Sequence, residues 1–571
     1  MNFKRLLKPI LVILAILILT LSVSAGDLYS TYGQRIKLTI DHTKIDADLS
    51  WFPVTVFLTS SQMEEVFTEF DADEDFDRIA FTSSDGETQL YADCELFDDS
   101  ESKAIYHVSK TGWTVSSSTD TDIYLYYDNT ADHNTTYISK SGGTAAQSVW
   151  DSNFEAVYHM NDPDPTGTDE IDDDFEDGNI TEYTAGADWA IATDQKYAGT
   201  YSAKCASNSY TTVDESTITR TTGTTPDYME IEFYWRSDSA YSSYPIHRFG
   251  NGFNFVFKKT GALMYHNGST EKALPTATSW STDTWYKINV YFDFVNDIVI
   301  FWVDDVYKGT ATDCTLTAWD GYNGRATYKN NNNCWLDNLK VTYYDAPAYG
   351  IIDSTSNANH GTKKSVNEPV EATGKVGQGQ DFDGTDDYIN IGDMALTGSF
   401  TVEAVANYDN VYRRCILAQI DDGNNYFPVL GTQSSNQGMM WIKSTAGGQQ
   451  VAQENDAVST GTWYHTAGVS NGTTIYYYLD GAVGDITDDY IAPPALTNTM
   501  QIGSWRGILY GATYGWFDGI IDEVRISSTD RSAAWIAATY DSLWDTLLTY
   551  GSEETGGTGE ATNVLFIFSN F

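Results

Sequence analysis

One pattern of strands and turns occurs twice in this chain, and it limits the fold more than any other feature. Trp285-Tyr-Lys-Ile-Asn-Val-Tyr291, followed by Phe301-Trp-Val-Asp-Asp305 and Gly309, returns as Trp463-Tyr-His-Thr-Ala-Gly-Val469, followed by Tyr477-Tyr-Leu-Asp-Gly481. Upstream, Glu232 in Tyr228-Met-Glu-Ile-Glu-Phe-Tyr-Trp235 aligns with Glu403 in Ser399-Phe-Thr-Val-Glu-Ala-Val405. Downstream, Trp335-Leu-Asp-Asn-Leu-Lys-Val341 aligns with Ile520-Ile-Asp-Glu-Val-Arg-Ile526. Two copies of one β-sandwich follow from this spacing. Trp285 and Trp463, repeated at one place in both copies, are read as core residues. The copies are not in simple tandem. Val149-Trp-Asp-Ser-Asn-Phe-Glu-Ala-Val-Tyr-His-Met160 reads as the first strand of the later copy. Its continuation, Ile352-Asp-Ser-Thr-Ser-Asn-Ala-Asn-His-Gly361, comes only after the earlier copy ends. The earlier copy is therefore expected to be inserted into an early loop of the later one, as an exposed loop permits when the inserted ends lie close together.

The rest of the chain agrees with an all-β fold. Short β-branched and aromatic runs alternate with Gly, Asn, Asp, Ser and Thr clusters. Helical periodicity appears mainly at Arg531–Leu547. A chain of 571 residues exceeds what one hydrophobic core serves, so several cores are expected. The expected division is a signal peptide at 1–25, an N-terminal β-sandwich at 26–147, a host sandwich at 148–171 and 345–549, and the inserted sandwich at 172–344. A flexible linker with an apolar strand, Asn563-Val-Leu-Phe-Ile-Phe568, occupies 550–571. Lys4, Arg5 and Lys8 precede the apolar run Pro9 to Leu21, and Val23-Ser24-Ala25 gives the small residues that place cleavage before Gly26. The alternative for this segment is an uncleaved anchor. Either way the remainder is exported.

Charge excludes some partners. With 80 Asp+Glu against 32 Lys+Arg the net charge is −48, so neither phosphate backbones nor anionic membrane surfaces attract the chain. Five cysteines are too few for a disulfide scaffold, although Cys314–Cys334 and Cys205–Cys334 are candidate pairs in an oxidising compartment.

Family resemblance sharpens the fold. Phe154-Glu-Ala-Val-Tyr-His-Met160, Asp353-Ser-Thr-Ser-Asn-Ala-Asn-His-Gly361, Gly379-Gln-Asp-Phe-Asp-Gly-Thr-Asp-Asp-Tyr388 and Gly519-Ile-Ile-Asp-Glu-Val-Arg-Ile526 resemble the laminin-G-like, concanavalin A-like jelly roll. The insert, through Phe175-Glu-Asp-Gly178, Tyr197-Ala-Gly-Thr-Tyr-Ser-Ala-Lys204 and Leu336-Asp-Asn-Leu-Lys-Val341, resembles a carbohydrate-binding-module jelly roll. Residues 33–135 resemble a secreted bacterial and archaeal family called domain of unknown function 2341. The residues carrying that likeness are Trp51-Phe-Pro-Val-Thr-Val-Phe-Leu58, Asp77-Arg-Ile-Ala-Phe81 and Ile123-Tyr-Leu-Tyr-Tyr-Asp-Asn129. The expected architecture is an N-terminal sandwich and two jelly rolls, one inside the other.

The resemblance of the insert also implies a structural calcium shared by a Glu on its first strand and an Asp on its last. Those residues are Glu176 and Asp337, and Asp522 is the counterpart in the host. Calcium suits them because it takes hard oxygen ligands, and juxtaposed carboxylates without a cation repel. Sugar binding calls for exposed aromatic faces beside amides and carboxylates. Trp441, Trp505, Tyr510 and Trp516 are the candidate ligand-contacting rings, although a Trp in a β-sandwich more often serves the core. Catalysis finds little support. Glu230 and Glu232 share one strand face, but no Glu-x-Asp-x-x-Glu strand, nucleophile elbow, HExxH or phosphate loop is present. His159 and His465 lie inside strand patterns and are read as packed or hydrogen-bonded. The expected protein is a secreted or cell-surface, non-catalytic one that recognises glycans or mediates adhesion, with a glycan or a surface protein as partner. The alternatives are a structural subunit of a surface layer or filament, self-associating through the C-terminal strand, and, less favoured, a polysaccharide hydrolase.

Overall fold

The structure, a computed structural model, describes residue 28 and residues 31–555, except 71, 163–166, 207–213, 222–225, 239–245, 250–252, 259, 268, 295–296, 312–313, 315, 317–318, 320, 329–332, 345–349, 365–367, 395, 421–424, 445–447, 493–498 and 506–514. The signal peptide, Tyr510 and the apolar strand at 563–568 lie outside the described residues. The fold is all-β, built of antiparallel sandwiches with a few short helices. Contacts divide the chain into two compact units, one formed by Pro163–Gly350 and the other chiefly by the segments on either side of it.

The larger unit begins with a sandwich of two four-stranded sheets. One runs Val54–Thr59, Lys103–Ser109, Tyr91–Asp98, Ile138–Lys140, the last pair being parallel. The other runs Ile79–Ser83, Thr121–Tyr127, Gln34–Ile40 and then Leu548–Thr555, a strand from the far end of the chain. The stretch 550–555, expected to be linker, is instead strand, because Tyr550, Glu553, Glu554 and Thr555 pair with Leu38, Ile36, Arg35 and Gln34 along the edge of the first strand. Before this strand, a helix at Ala533–Leu543 is capped by Ser532, whose Oγ accepts the Trp535 N–H, and sets Trp535 edge-on to Phe52 at 5.0 Å. A second helix, Ser60–Glu69, was not apparent in the strand-rich sequence. Met63, Val66, Phe67 and Phe70 nevertheless follow helical spacing, and all are buried.

The host jelly roll completes this unit. One sheet runs Val370–Thr373, Gln378–Asp383, Asp518–Ser527, Ser399–Tyr408, Trp463–Asn471, Thr474–Leu479, Ala482–Val483, with Phe154–Tyr158 also paired to Asp518–Ser527. The strand before the insertion is held to the chain after it by Asp353. This buried carboxylate accepts Val157 N–H (3.0 Å), Thr355 N–H and Oγ1–H (2.9 Å each) and Asn359 N–H (2.9 Å). Asn357 and Asn359 donate side-chain N–H groups to the Glu155 carbonyl, and Tyr158 O–H donates to the Asn359 carbonyl. The Asp353–Gly361 motif is therefore a clamp across the insertion.

The inserted unit repeats this topology strand for strand. Its corresponding sheet runs Trp189–Ala192, Ser202–Ala206, Asn333–Tyr344, Tyr228–Ser237, Trp285–Asp293, Ile298–Val303, Val306–Ala311, with Gly167–Asp173 on Asn333–Tyr344. Even the irregularities match. Glu232 faces Lys340, and beyond a bulge Tyr234 faces Asp337; Glu403 faces Arg525, and beyond a bulge Val405 faces Asp522. The residue after each Asp is left-handed, Asn338 at φ 44 and Glu523 at φ 46. Trp285 and Trp463, read as core, are instead only partly buried and stand on the sheet face away from their own sandwich core. Side chains alternate along a strand, and Ile288, Val290 and Phe292 take the inward positions in the insert.

Within the larger unit the outer face of the host sheet packs on the N-terminal sandwich. Phe57, Ile105, Val376, Val405 and Leu543 form one apolar cluster there. Strand Lys103–Ser109 is consequently buried on both faces, with Tyr106 and Val108 in the N-terminal core and Ile105 and His107 at the seam.

Candidate functional site

The second host sheet carries the candidate site on the face turned away from its core. Along Gln437–Ser444, Met440 and Ile442 point into the main core, so Met439 and Trp441 point outward. They join Cys415, Tyr426, Val429 and Trp505 in a separate apolar cluster. The Trp441 ring lies 4.9 Å from that of Tyr426 and meets Trp505 edge-on at 6.2 Å. Beside them opens a cleft of about 130 Å³, walled by Met439, Trp441, Val451 and Trp505 and rimmed by Arg413, Gln433, Ser434 and Gln449.

Local backbone chemistry seats these rings. Gly515 is left-handed at φ 95, and a Cβ there would lie 1.4 Å from Trp505 Nε1. Trp505 therefore rests directly on a glycine backbone, and its own N–H donates to the Gly515 carbonyl at 3.2 Å. At the rim, Gln433 donates to the side-chain carbonyls of Gln453 (2.6 Å) and Gln437 (3.1 Å), which orients its amide. Trp441 Nε1 is buried and has no hydrogen-bond partner among the described residues. An N–H in that state costs about 1–3 kcal/mol until an acceptor arrives.

Of the sequence candidates, Trp441 and Trp505 thus come together in the cleft. Both are mostly buried, at 7% and 2% exposure, so they offer edges and not open faces. Trp516 stands elsewhere, stacked at 6.4 Å on Tyr388, with its carbonyl accepting from Arg414. Tyr510 is outside the described residues. The rim amides and Gly515 were not singled out as cleft residues, since only the sheet register sets them beside the two rings.

The candidate calcium ligands perform one common task. Asp337 accepts the Tyr197 and Ala198 N–H groups at 2.7 and 3.3 Å. Glu176 accepts the Thr200 and Tyr201 N–H groups of the same loop at 2.7 and 2.8 Å. In the host, Asp522 accepts Lys375 and Val376 N–H, both at 2.8 Å. Each Asp ties its last strand to the loop that precedes the neighbouring strand. The repulsion between Glu176 and Asp337 that suggested a cation is offset here by backbone donors. Those donors hold Glu176 below the usual carboxylate range, whereas burial raises Asp337 and raises Asp522 further.

Glu230 and Glu232 do share a face, beside a cleft of about 440 Å³ that Asp169, Lys340 and Tyr344 also line. Each carboxylate already has partners. Glu230 accepts from Tyr344 O–H at 2.7 Å and from Asn289, and Glu232 pairs with Lys287 at 3.0 Å. His465 is buried, with Nε2 3.2 Å from Glu403. All five cysteines are buried, and Cys205 and Cys334 stand directly opposite on neighbouring strands.

Comparison with known proteins agrees with a jelly-roll fold for the host domain. Residues 383–537 match the family model described as the concanavalin A-like lectin/glucanases superfamily. This span holds both cleft tryptophans. The match does not extend to 33–135, the part that resembles domain of unknown function 2341. No curated protein matches the chain. Among solved structures, the chain is similar to domain 4 of AbnA, a GH43 extracellular arabinanase from Geobacillus stearothermophilus, in complex with arabinotriose. That likeness has 18% identity and a TM-score of 0.28, and covers 33% of this chain and 91% of that one. It is also similar to the CBM22-1-CBM22-2 tandem domain of Paenibacillus barcinonensis Xyn10C, at 11% identity and a TM-score of 0.27, over 65% of this chain and 100% of that one. Domains LG4-5 of the mouse laminin alpha1 chain align at 10% identity and a TM-score of 0.23, over 54% and 84%. At such scores these likenesses carry no argument about ligand or activity.

Proposed function

We propose that this protein recognises a neutral glycan through the Trp441–Trp505 cleft, acting outside the cell or at its surface without catalysing a reaction. The observation that carries this reading is the cleft itself: the edges of two mostly buried tryptophans and several amide side chains converge on the sheet face turned away from the main core. Sugars present apolar C–H patches and hydroxyls together, and aromatic edges beside Gln433 and Gln449 suit both. The net charge of −48 favours neutral over acidic polysaccharides. A structural calcium beside Glu176 and Asp337 belongs to the same reading, and chelation that leaves the melting temperature of the insert unchanged would remove it.

The test is a glycan array followed by calorimetry with the best neutral oligosaccharide. Trp441→Ala and Trp505→Ala should each weaken binding by about five- to a hundredfold, in line with an aromatic contact of about 1–3 kcal/mol. Wild-type binding that survives both substitutions would overturn the assignment. Release of reducing sugar from a polysaccharide by the purified chain would overturn the non-catalytic reading.

A further inference from the structure

A buried cluster lies at the seam between the N-terminal sandwich and the host jelly roll, well apart from the cleft. Glu95 and His107 come from adjacent strands of the former; His159 directly follows the first strand of the latter and Glu523 lies on its last. Their exposures are 6%, 0%, 1% and 1%. One ligand-type atom from each residue lies within 4.8 Å of the other three. His107 Nε2 is 2.9 Å from Glu95 Oε2 and 3.7 Å from Glu523 Oε1. His159 Nδ1 is 2.5 Å from Glu523 Oε1 and 3.7 Å from Glu95 Oε2. Donors around a tetrahedral cation at ~2.0–2.1 Å stand about 3.3 Å apart, and these four separations bracket that value.

Three further observations point to a ligand at the centre. First, the inward atoms have outer supports of the kind metal ligands carry. His159 Nε2 meets Asp93 at 3.1 Å, and Asp93 also accepts from Trp150 Nε1 and Ser141 Oγ. His107 Nδ1 meets Thr55 Oγ1 at 3.1 Å. The outer oxygen of Glu523 is held by Arg525 at 2.5 and 3.0 Å. Second, Glu95 and Glu523 are buried carboxylates whose ligand-type oxygens lie within 4.8 Å of each other. Two buried carboxylates this close repel unless a proton or a cation lies between them. Third, the inserted jelly roll has the same topology but different residues at the matching places. The strand registers set Asp174 opposite the place of His159, Asn338 at that of Glu523 and Lys340 at that of Arg525. The ligand-type residues occur in the copy that packs on the N-terminal sandwich.

We propose that Glu95, His107, His159 and Glu523 bind one first-row divalent cation, zinc by the chemistry of the donors, which locks the N-terminal sandwich to the host jelly roll. Two imidazoles and two carboxylates match zinc, whereas calcium takes six to eight oxygens. Because the site is closed to solvent, the cation enters as the chain folds.

The experiment uses the full chain, purified from zinc-supplemented medium and also unfolded and refolded with zinc or cobalt alone. Elemental analysis should find one zinc per chain, and the cobalt form should show the intense visible absorption of tetrahedral coordination. His107→Gln and Glu95→Gln should each retain at least tenfold less zinc after dialysis. A folded wild-type chain that takes up neither metal by either route would overturn the proposal. So would an octahedral cobalt spectrum, or variants that retain the wild-type zinc content. If the variants do not fold, the cobalt spectrum of the wild-type chain decides.

Discussion

Replacing Asp353 by alanine removes the acceptor that joins the two halves of the host jelly roll across its insertion. Three backbone donors lose their partner: Val157, Thr355 and Asn359 N–H, at 3.0, 2.9 and 2.9 Å. Val157 and Thr355 are buried, so water does not replace the carboxylate freely. At about 1–3 kcal/mol for each stranded buried donor, with some return from water entering the vacated space, the variant should lose about 3–5 kcal/mol. Asp353→Asn keeps one carbonyl oxygen for Val157 and Thr355, but sets an N–H against the Asn359 N–H. It should lose about 1–2 kcal/mol. Urea unfolding with hydrogen-exchange mass spectrometry separates this effect from the inserted unit. With m of ~3 kcal/mol/M, the midpoint for peptides spanning 154–160 should fall by about 1–1.7 M in the alanine variant. Peptides from the insert act as the internal control. An alanine variant with the wild-type midpoint and unchanged protection at Val157 would refute the clamp.

Other substitutions test other parts of the structure. Gly515→Ala places a methyl group where Trp505 now rests, in a left-handed conformation, so glycan affinity should fall as far as in Trp505→Ala; calorimetry and tryptophan fluorescence check this. Arg531 makes a buried bidentate pair with Asp151 at 2.7 and 2.8 Å, and Arg531→Ala strands that carboxylate; a loss of about 3–5 kcal/mol is expected in urea unfolding, and a loss below 1 kcal/mol would contradict it. Burial holds the His360 imidazole at about 4, below its ordinary 6.5. The unfolded chain therefore binds the proton first, so this contribution is complete above pH 6.5 and drains as pH falls toward 4, by about 2–3 kcal/mol. His360→Asn keeps an acceptor for the Asp353 N–H and should flatten the melting curve against pH over that interval; an unchanged slope would count against His360 as the titrating group.

Much of the fold was legible because it is local or repeated. The doubled Glu, Trp and Asp positions placed Glu232 with Glu403 and Asp337 with Asp522, and the sheet registers align the same pairs. Periodicity failed where two readings share one pattern. Trp285 and Trp463 carry the hydrophobicity of core residues, yet strand parity turns them outward. The residues of the cleft were half legible. A Gly-Trp pair can be read in sequence, but the approach of Trp505 to Trp441 depends on which strands are neighbours in the sheet.

The sequence alone therefore determined the all-β class, the acidic surface and the repeated sandwich, because alternation, turn residues and charge act at short range. It also marked Trp441 and Trp505 as residues able to meet a sugar. Only the tertiary structure decided that strand Leu548–Thr555 closes the first sheet and that the host packs on the N-terminal sandwich. Only the tertiary structure brought His159 to Glu523 across 364 residues. Such contacts depend on which sheet faces are left to be covered once each sandwich has formed, a property of assembled surfaces that no single segment carries.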